Sequence, residues 1–368
     1  GLYGSVHVYT FLKWKRAVEP GPAAALAVVL WMAVMTAAPA LVRVLEKNGL
    51  DTAARSLAHV GYGWMGLLFV FFCGALAIDL LRLILFALRQ FDLHLPLPAF
   101  SARAAFTIPL MLSIAVCVYG FFEARKIRTE HLVIRTHRIP AHVGRLRIAQ
   151  ISDVHLGLIV RDQRLDQILD RVRAAAPDML VSTGDLIDGQ LDQIGGLVRK
   201  IREVQTPLGK FAVTGNHEFY AGLDKALAFT RQAGFTVLRG EARSVAGVLN
   251  VAGVDDPAGR PYGRMREVSE KTLMENLPGD RFTLLLKHRP DLDKEAVGFF
   301  DLQLSGHTHK GQIFPFNFAV APLYPAVAGR LELERGLLYV SRGSGTWGPP
   351  VRFLAPPEVT IIDLVAAD

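Results

Sequence analysis

Leu304-Ser305-Gly306-His307-Thr308-His309 places two histidines, separated by one residue, behind a short apolar run and a glycine. The same layout occurs four times upstream. Asp153-Val154-His155 follows the run from Leu146 to Ile151, and Gly184-Asp185 follows Met179 to Ser182. Gly215-Asn216-His217-Glu218 follows Lys210 to Val213, and His288 follows Phe282 to Leu286. Each run has the length and composition of a strand, and each ends in a tight turn carrying Asp, Asn or His. Between the first two, Arg164 to Ala176 repeats Leu165, Ile168, Leu169 and Val172 at helical spacing. Alternating strands and helices predict an α/β fold, and such folds build their sites just past strand ends. Phe235 to Leu238, Ser244 to Val254, Leu337 to Ser341 and Val359 to Leu364 read as further strands, and Pro315 to Pro325 as an irregular loop.

Five turns of this kind supply enough oxygen and nitrogen donors for two metal ions. Two divalent ions held close together can clamp a phosphoryl centre, lower the pKa of water and stabilise a leaving oxygen. The donors on offer are Asp153, His155, Asp185, Asn216, His288, His307 and His309. No thiolate is near: Cys73 and Cys117 lie in apolar runs far upstream and form neither a disulfide framework nor a CxxC site. Such a donor set suits Mn, Fe, Zn or Mg in an exchangeable site rather than a structural zinc. Manganese is the expected preference.

The motifs DxH, GDxxD, GNHE, a lone histidine after a strand and GHxH stand in this order between residues 146 and 312. In this the chain resembles the calcineurin-like metallophosphoesterases. The resemblance implies a four-layer αββα sandwich with two metals at the strand ends. It implies that Asp153, His155 and His309 bind one ion, that Asn216, His288 and His307 bind the other, and that Asp185 bridges them. It implies that His217 is not a ligand but protonates the leaving group or stabilises the phosphoryl oxygens. Asp188 and Glu218 would orient the histidines or bound water.

The N-terminal third has a different character. The chain has 368 residues, 51% of them hydrophobic, and the excess lies before about residue 123. Gly21 to Val42, Val60 to Ile78 and Ala104 to Phe122 are uncharged and long enough to cross a bilayer. The second run can continue as helix through Asp79 and Arg82 to Leu88, and Leu2 to Leu12 reads as the tail of a fourth, incomplete span. Asp79 and Arg82 share a helix face, either as a functional pair at membrane depth or as interfacial charges. The expected organisation is a helical membrane region at 1–123, a basic juxtamembrane linker at 124–145 and the phosphoesterase domain at 146–368.

The net charge is +7, and Arg125, Lys126, Arg128, Arg135, Arg138, Arg145 and Arg147 follow the last apolar run. Their expected partners are a lipid bilayer and its anionic head groups. No basic motif interleaved with aromatics points to nucleic acid. The same basic run tips the positive-inside rule toward a cytoplasmic catalytic domain on a bacterial inner membrane. Oligomeric state is not legible.

The membrane region directs attention to a lipid-linked phosphodiester or pyrophosphate, as in the similar UDP-2,3-diacylglucosamine pyrophosphatases. A membrane-tethered phosphatase for small soluble esters and a non-catalytic scaffold or transporter are the alternatives. The turn from Gly343 to Arg352 is glycine-rich with Trp347 inside it. Either Arg352 reaches substrate phosphate at the site mouth, or the turn is a plain loop capping the sheet.

Overall fold

The computed structural model describes residues 1–91, 100–189 and 195–367. The chain divides into two units, Gly1–Phe122 with Gly348–Phe353, and Glu123–Trp347 with Leu354–Asp368.

The first unit is helical: α1 (Leu2–Val18), α2 (Pro22–Lys47), α3 (Asp51–Arg89) and α4 (Ala104–Arg125). The last three are long and apolar enough to cross a membrane. α3 has 39 residues, about 58 Å of helix, which exceeds a hydrocarbon core of about 30 Å. Small residues let α2 and α3 approach closely, since a Cβ on Gly61 would lie 2.8 Å from Ala38 Cβ. Polar contacts join α1 to α3. The Tyr9 hydroxyl donates to Asp79 Oδ2 at 2.7 Å, and Lys13 pairs with the same carboxylate. His7 Nδ1 donates to Tyr3 O at 2.9 Å, which leaves Nε2 to accept the Trp64 indole N–H at 2.9 Å. Arg82 approaches Asp79 at 3.7 Å and donates to Ser101 O at 3.2 Å.

The second unit contains two six-stranded mixed sheets. Its strands are β1 (Arg128–Thr136), β2 (Arg145–Ile151), β3 (Met179–Ser182), β4 (Lys210–Ala212), β5 (Thr236–Val237), β6 (Glu241–Val245), β7 (Leu249–Gly253), β8 (Phe282–Leu286), β9 (Leu302–Ser305), β10 (Gly329–Glu332), β11 (Leu337–Val340) and β12 (Glu358–Ala366). One sheet runs β1-β12-β2-β3-β4-β5 and the other β10-β11-β9-β8-β7-β6.

Period-two alternation assigns each strand face to a layer. Leu146 and Ile148 of β2, Met179 and Val181 of β3, and Phe282, Leu284 and Leu286 of β8 fill the core between the sheets. Ala149, Ile151 and Leu180 face the opposite way, onto Leu165, Ile168, Leu169 and Val172 of α5 (Asp162–Ala175) and Leu197 and Ile201 of α6 (Gly195–Arg202). The outer layer on the second sheet is thin: Leu285 meets Met274, Ala296 and Phe300. The αββα sandwich is present.

Two boundaries differ from the sequence expectation. The basic stretch at 124–145 is not a linker, because β1 occupies most of it and pairs in parallel with β12, Arg128 opposite Glu358. Only Leu132 of β1 is buried, so this edge strand shows little apolar alternation and its charges suit an exposed sheet edge. Three of the basic residues pair with carboxylates: Arg147 grips Asp363 at 2.7 and 2.9 Å, Arg145 approaches it at 3.9 Å, and Arg138 reaches Asp301 at 3.0 Å. The other difference is that Gly348–Phe353 groups with the helices. The Arg352 backbone N–H donates to Gly120 O at 3.0 Å, and the Tyr119 and Phe353 rings meet at 5.9 Å.

Candidate metal centre

The five turns converge. Asp153 and His155 follow β2, Asp185 follows β3, Asn216 opens the helix α7 (Asn216–Ala221) after β4, His288 follows β8, and His307 and His309 follow β9. All seven are buried except His307, which is half-buried. Asp153, His155, Asp185, His307 and His309 have φ between 48° and 69°, a left-handed backbone that costs a non-glycine residue about 1–3 kcal/mol. Such strain gathered in one place is characteristic of a functional site. The glycines of the motifs have a steric role. A Cβ on Gly306 would lie 2.2 Å from Asp153 Oδ2, and one on Gly215 would lie 2.2 Å from Asp185 Oδ1.

Two clusters of donor atoms share Asp185. In the first, His155 Nε2 and His309 Nε2 are 3.1 Å apart, and His309 Nε2 is 3.4 Å from Asp153 Oδ1. In the second, His288 Nε2 lies 3.1 Å from Asn216 Oδ1, 3.1 Å from His307 Nδ1 and 3.3 Å from Asp185 Oδ2. The same Asp185 oxygen is 3.8 Å from His155 Nε2. His288 Nδ1 must donate to Thr183 O at 2.8 Å, since a carbonyl only accepts. The Nε2 lone pair of neutral His288 is thereby turned toward an amide oxygen, a carboxylate oxygen and another imidazole nitrogen. Lone pairs crowded in this way need a cation between them. Donors about 2.0–2.2 Å from one ion stand about 3–3.5 Å from each other, so the residues fit two metal ions.

The electrostatics agree. Burial disfavours an imidazolium at His288, yet Asp185 and Asp153 outweigh it and push His288 up to about 10. The carboxylates thus demand positive charge, which bound cations would supply more strongly. His307, buried and beside His288, is driven down to about 3.

His217 Nδ1 is 2.5 Å from Asp188 Oδ1, and its ring stands 4.7 Å from that of His155. Burial opposes its charged form, but Asp185 and Asp188 hold its pKa at about 9. His217 also falls within ligand distance of His155 and Asp185, so distance alone does not separate proton donor from ligand. Asp188 faces the histidines, with Oδ1 3.8 Å from His155 Nδ1. Glu218 does not. Its carboxylate accepts backbone N–H groups from Asp185 at 3.0 Å, Leu186 at 2.8 Å and Gly215 at 2.7 Å. It holds the Asp185 turn through main chain rather than through imidazole.

The Arg352 side chain is fully buried. The aromatic residue of its turn is at the site: the Trp347 ring lies 6.1 Å from His217. Gln312 fixes that tryptophan by accepting its backbone N–H at 2.9 Å and donating to its carbonyl at 2.7 Å. Two further aromatics escaped the sequence reading. Tyr220 is 5.5 Å from His217, and Tyr324 is 5.8 Å from His307. Tyr220 could have been found, four residues after Asn216 on one helix; Tyr324 comes from the irregular loop and gave no signal. Arg289, beside His288, is held by Asp256 at 2.8 and 3.0 Å.

Known proteins are similar to this chain. The family described as calcineurin-like phosphoesterase matches residues 146–311. An uncharacterized metallophosphoesterase of Aquifex aeolicus is 38% identical over 257 residues, 69% of this chain and 98% of that one. A Campylobacter jejuni uncharacterized metallophosphoesterase is 32% identical, covering 78% of this chain and 76% of its own. A Bos taurus transmembrane protein with metallophosphoesterase domain is 30% identical over 71% of this chain and 62% of its own length. The alignment with the Aquifex protein leaves almost none of that relative unmatched, and the family match spans all five ligand turns: the chain belongs to the calcineurin-like phosphoesterases and is a phosphoester hydrolase.

Proposed function

We propose that this hydrolase cleaves a phosphodiester or pyrophosphate bond in a lipid-linked substrate. One observation carries the proposal. α4, apolar enough to span a bilayer, ends at Arg125, and the first strand of the catalytic sheet starts at Arg128. A connection of two residues, Lys126 and Ile127, ties the catalytic unit to the span. A soluble substrate gives no reason for so short a tether.

Asp153, His155 and His309 would hold one divalent ion, Asn216, His288 and His307 a second, with Asp185 shared. When bound, such ions polarise the phosphoryl oxygens and provide a nucleophile from water. The protein supplies the remaining chemistry. Asp188 fixes the His217 ring through Nδ1 and favours its protonated form. His217 then gives a proton to the leaving oxygen, which removes the cost of expelling an alkoxide or phosphate anion. Trp347, Tyr220 and Tyr324 border the reacting centre and restrict its access to water. The exposed cations Lys126, Arg128 and Arg135 would attract anionic head groups, and by the positive-inside rule they favour a cytoplasmic catalytic unit.

The test uses full-length protein in vesicles, assayed on a lipid pyrophosphate and on a soluble aryl phosphodiester. Chelation should abolish both activities and Mn²⁺ should restore them best. Faster turnover of the lipid supports the reading. Turnover of the soluble ester alone would replace it with a small-substrate phosphatase, and inactivity on every phosphoester would favour a scaffold.

A further inference from the structure

From Gly311 to Gly329 the chain has no Asp, Glu, Lys or Arg, and Lys310 and Arg330 flank it. The segment leaves the metal centre just after His309 and returns to it. Thr308 Oγ1 donates to Val327 O at 2.6 Å, and the Tyr324 ring stands 5.8 Å from that of His307. A helical turn at Asn317–Val320 interrupts the irregular path. Ile313 turns inward, but most of the large apolar side chains after it do not. Phe318 is 67% exposed, Leu323 69%, Phe316 46% and Phe314 39%. The Phe314 and Phe318 rings meet at 5.5 Å, so the exposed rings form a patch rather than isolated points.

Leaving four large apolar side chains in water beside a catalytic centre is unfavourable unless something covers them. We infer that this segment seats in the interface of a phospholipid bilayer, with Phe316, Phe318 and Leu323 at the depth of the upper acyl chains. Three features of the chain select lipid over a protein partner. The segment is free of charge and rich in aromatics, and cations lie only at its ends, where they would meet head groups. Its surface is irregular main chain with single helical turns, not a sheet edge or a long helix face. The same polypeptide carries three helices apolar enough to span a membrane, so a bilayer is always at hand. Seating the segment would bring the metal centre to the level of lipid phosphates, which deepens the lipid-substrate reading and rests on it for its purpose.

The experiment uses the full chain, with Cys73 and Cys117 replaced by serine, in phosphatidylcholine/phosphatidylglycerol vesicles. A fluorophore is attached through Phe318→Cys or, as a control, through Tyr262→Cys, which lies 59% exposed elsewhere on the catalytic unit. Lipid-borne nitroxide should quench the label at 318 and not that at 262, while aqueous iodide should do the reverse. Equal iodide quenching at both positions overturns the inference. Shielding of position 318 from both quenchers overturns it as well, and points to a protein cover. A second variant, Phe316→Ser with Phe318→Ser and Leu323→Ser, should keep full turnover of the soluble diester and lose about tenfold on the vesicle substrate, because burial of large apolar side chains is what drives insertion. Unchanged turnover of the vesicle substrate counts against the inference. Failure of the substrate reading looks different: position 318 would be quenched from the lipid while the wild-type chain hydrolyses no lipid phosphoester.

Discussion

Asp188 Oδ1 lies 2.5 Å from His217 Nδ1. The carboxylate orients the ring and favours its charged form while touching no ligand closely, its distance to His155 being 3.8 Å. Asp188→Asn should therefore retain both ions and lower kcat by about 10–100-fold, with KM little changed. Metal analysis alongside steady-state kinetics checks this, and loss of an ion in the variant would refute it.

Asp185 and His217 should separate by metal content. Asp185 faces both donor clusters, so Asp185→Asn should lose at least one ion and nearly all activity. His217→Gln should keep two ions and lose about two to four orders of magnitude in rate. Elemental analysis of both purified variants decides; equal metal loss would make His217 a ligand.

Glu218 anchors the Asp185 turn through main-chain N–H groups. Glu218→Gln preserves shape but turns an amide NH₂ toward donors. The expected cost is about 3 kcal/mol, from weakened charge-assisted bonds and a buried unsatisfied donor. Thermal unfolding should show it, together with weaker metal retention. A variant as stable as wild type would mean that the carboxylate charge is irrelevant there.

Away from the site, the Arg147 guanidinium holds the Asp363 carboxyl below its ordinary range, against the effect of burial. A carboxyl depressed in the folded state stabilises above its unfolded pKa, about 3.9, and that stabilisation fades as pH falls through the folded value. Asp363→Asn should therefore unfold at lower temperature than wild type at pH 7, and the gap should narrow progressively as pH falls below about 3.9. A gap independent of pH would assign the effect to packing.

The candidate donors were legible because each is a polar residue fixed at the end of an apolar strand, and the strands announce themselves by composition. Asp153, Asp185, Asn216, His288, His307 and His309 are brought together for that reason. β1 was hidden because one of its faces meets solvent and its partner β12 lies at the far end of the sequence. Glu218 was read as orienting the histidines or bound water, since residue type gives no hint that a carboxylate will bind main chain. For Arg352 the sequence left two readings open, a contact to substrate phosphate or a loop capping the sheet. What the sequence could not convey is that Gly348–Phe353 groups with the helices, or that Trp347 stands beside His217.

The pairing of β1 with β12 also sets a timetable for synthesis. β1 is made as soon as α4 is complete, but its neighbour in the sheet ends at Ala366. At about 5–20 residues per second, the nascent chain waits on the order of ten to forty-five seconds before that edge can close. Throughout this interval Arg128–Thr136 must remain soluble with its hydrogen-bonding groups unpaired. Its sequence, RTEHLVIRT, with a charged residue at the start and near each end, is suited to the delay. A chain cut before Glu358 would never end the wait, so shortened forms should be lost to aggregation or proteolysis even though every metal ligand is present.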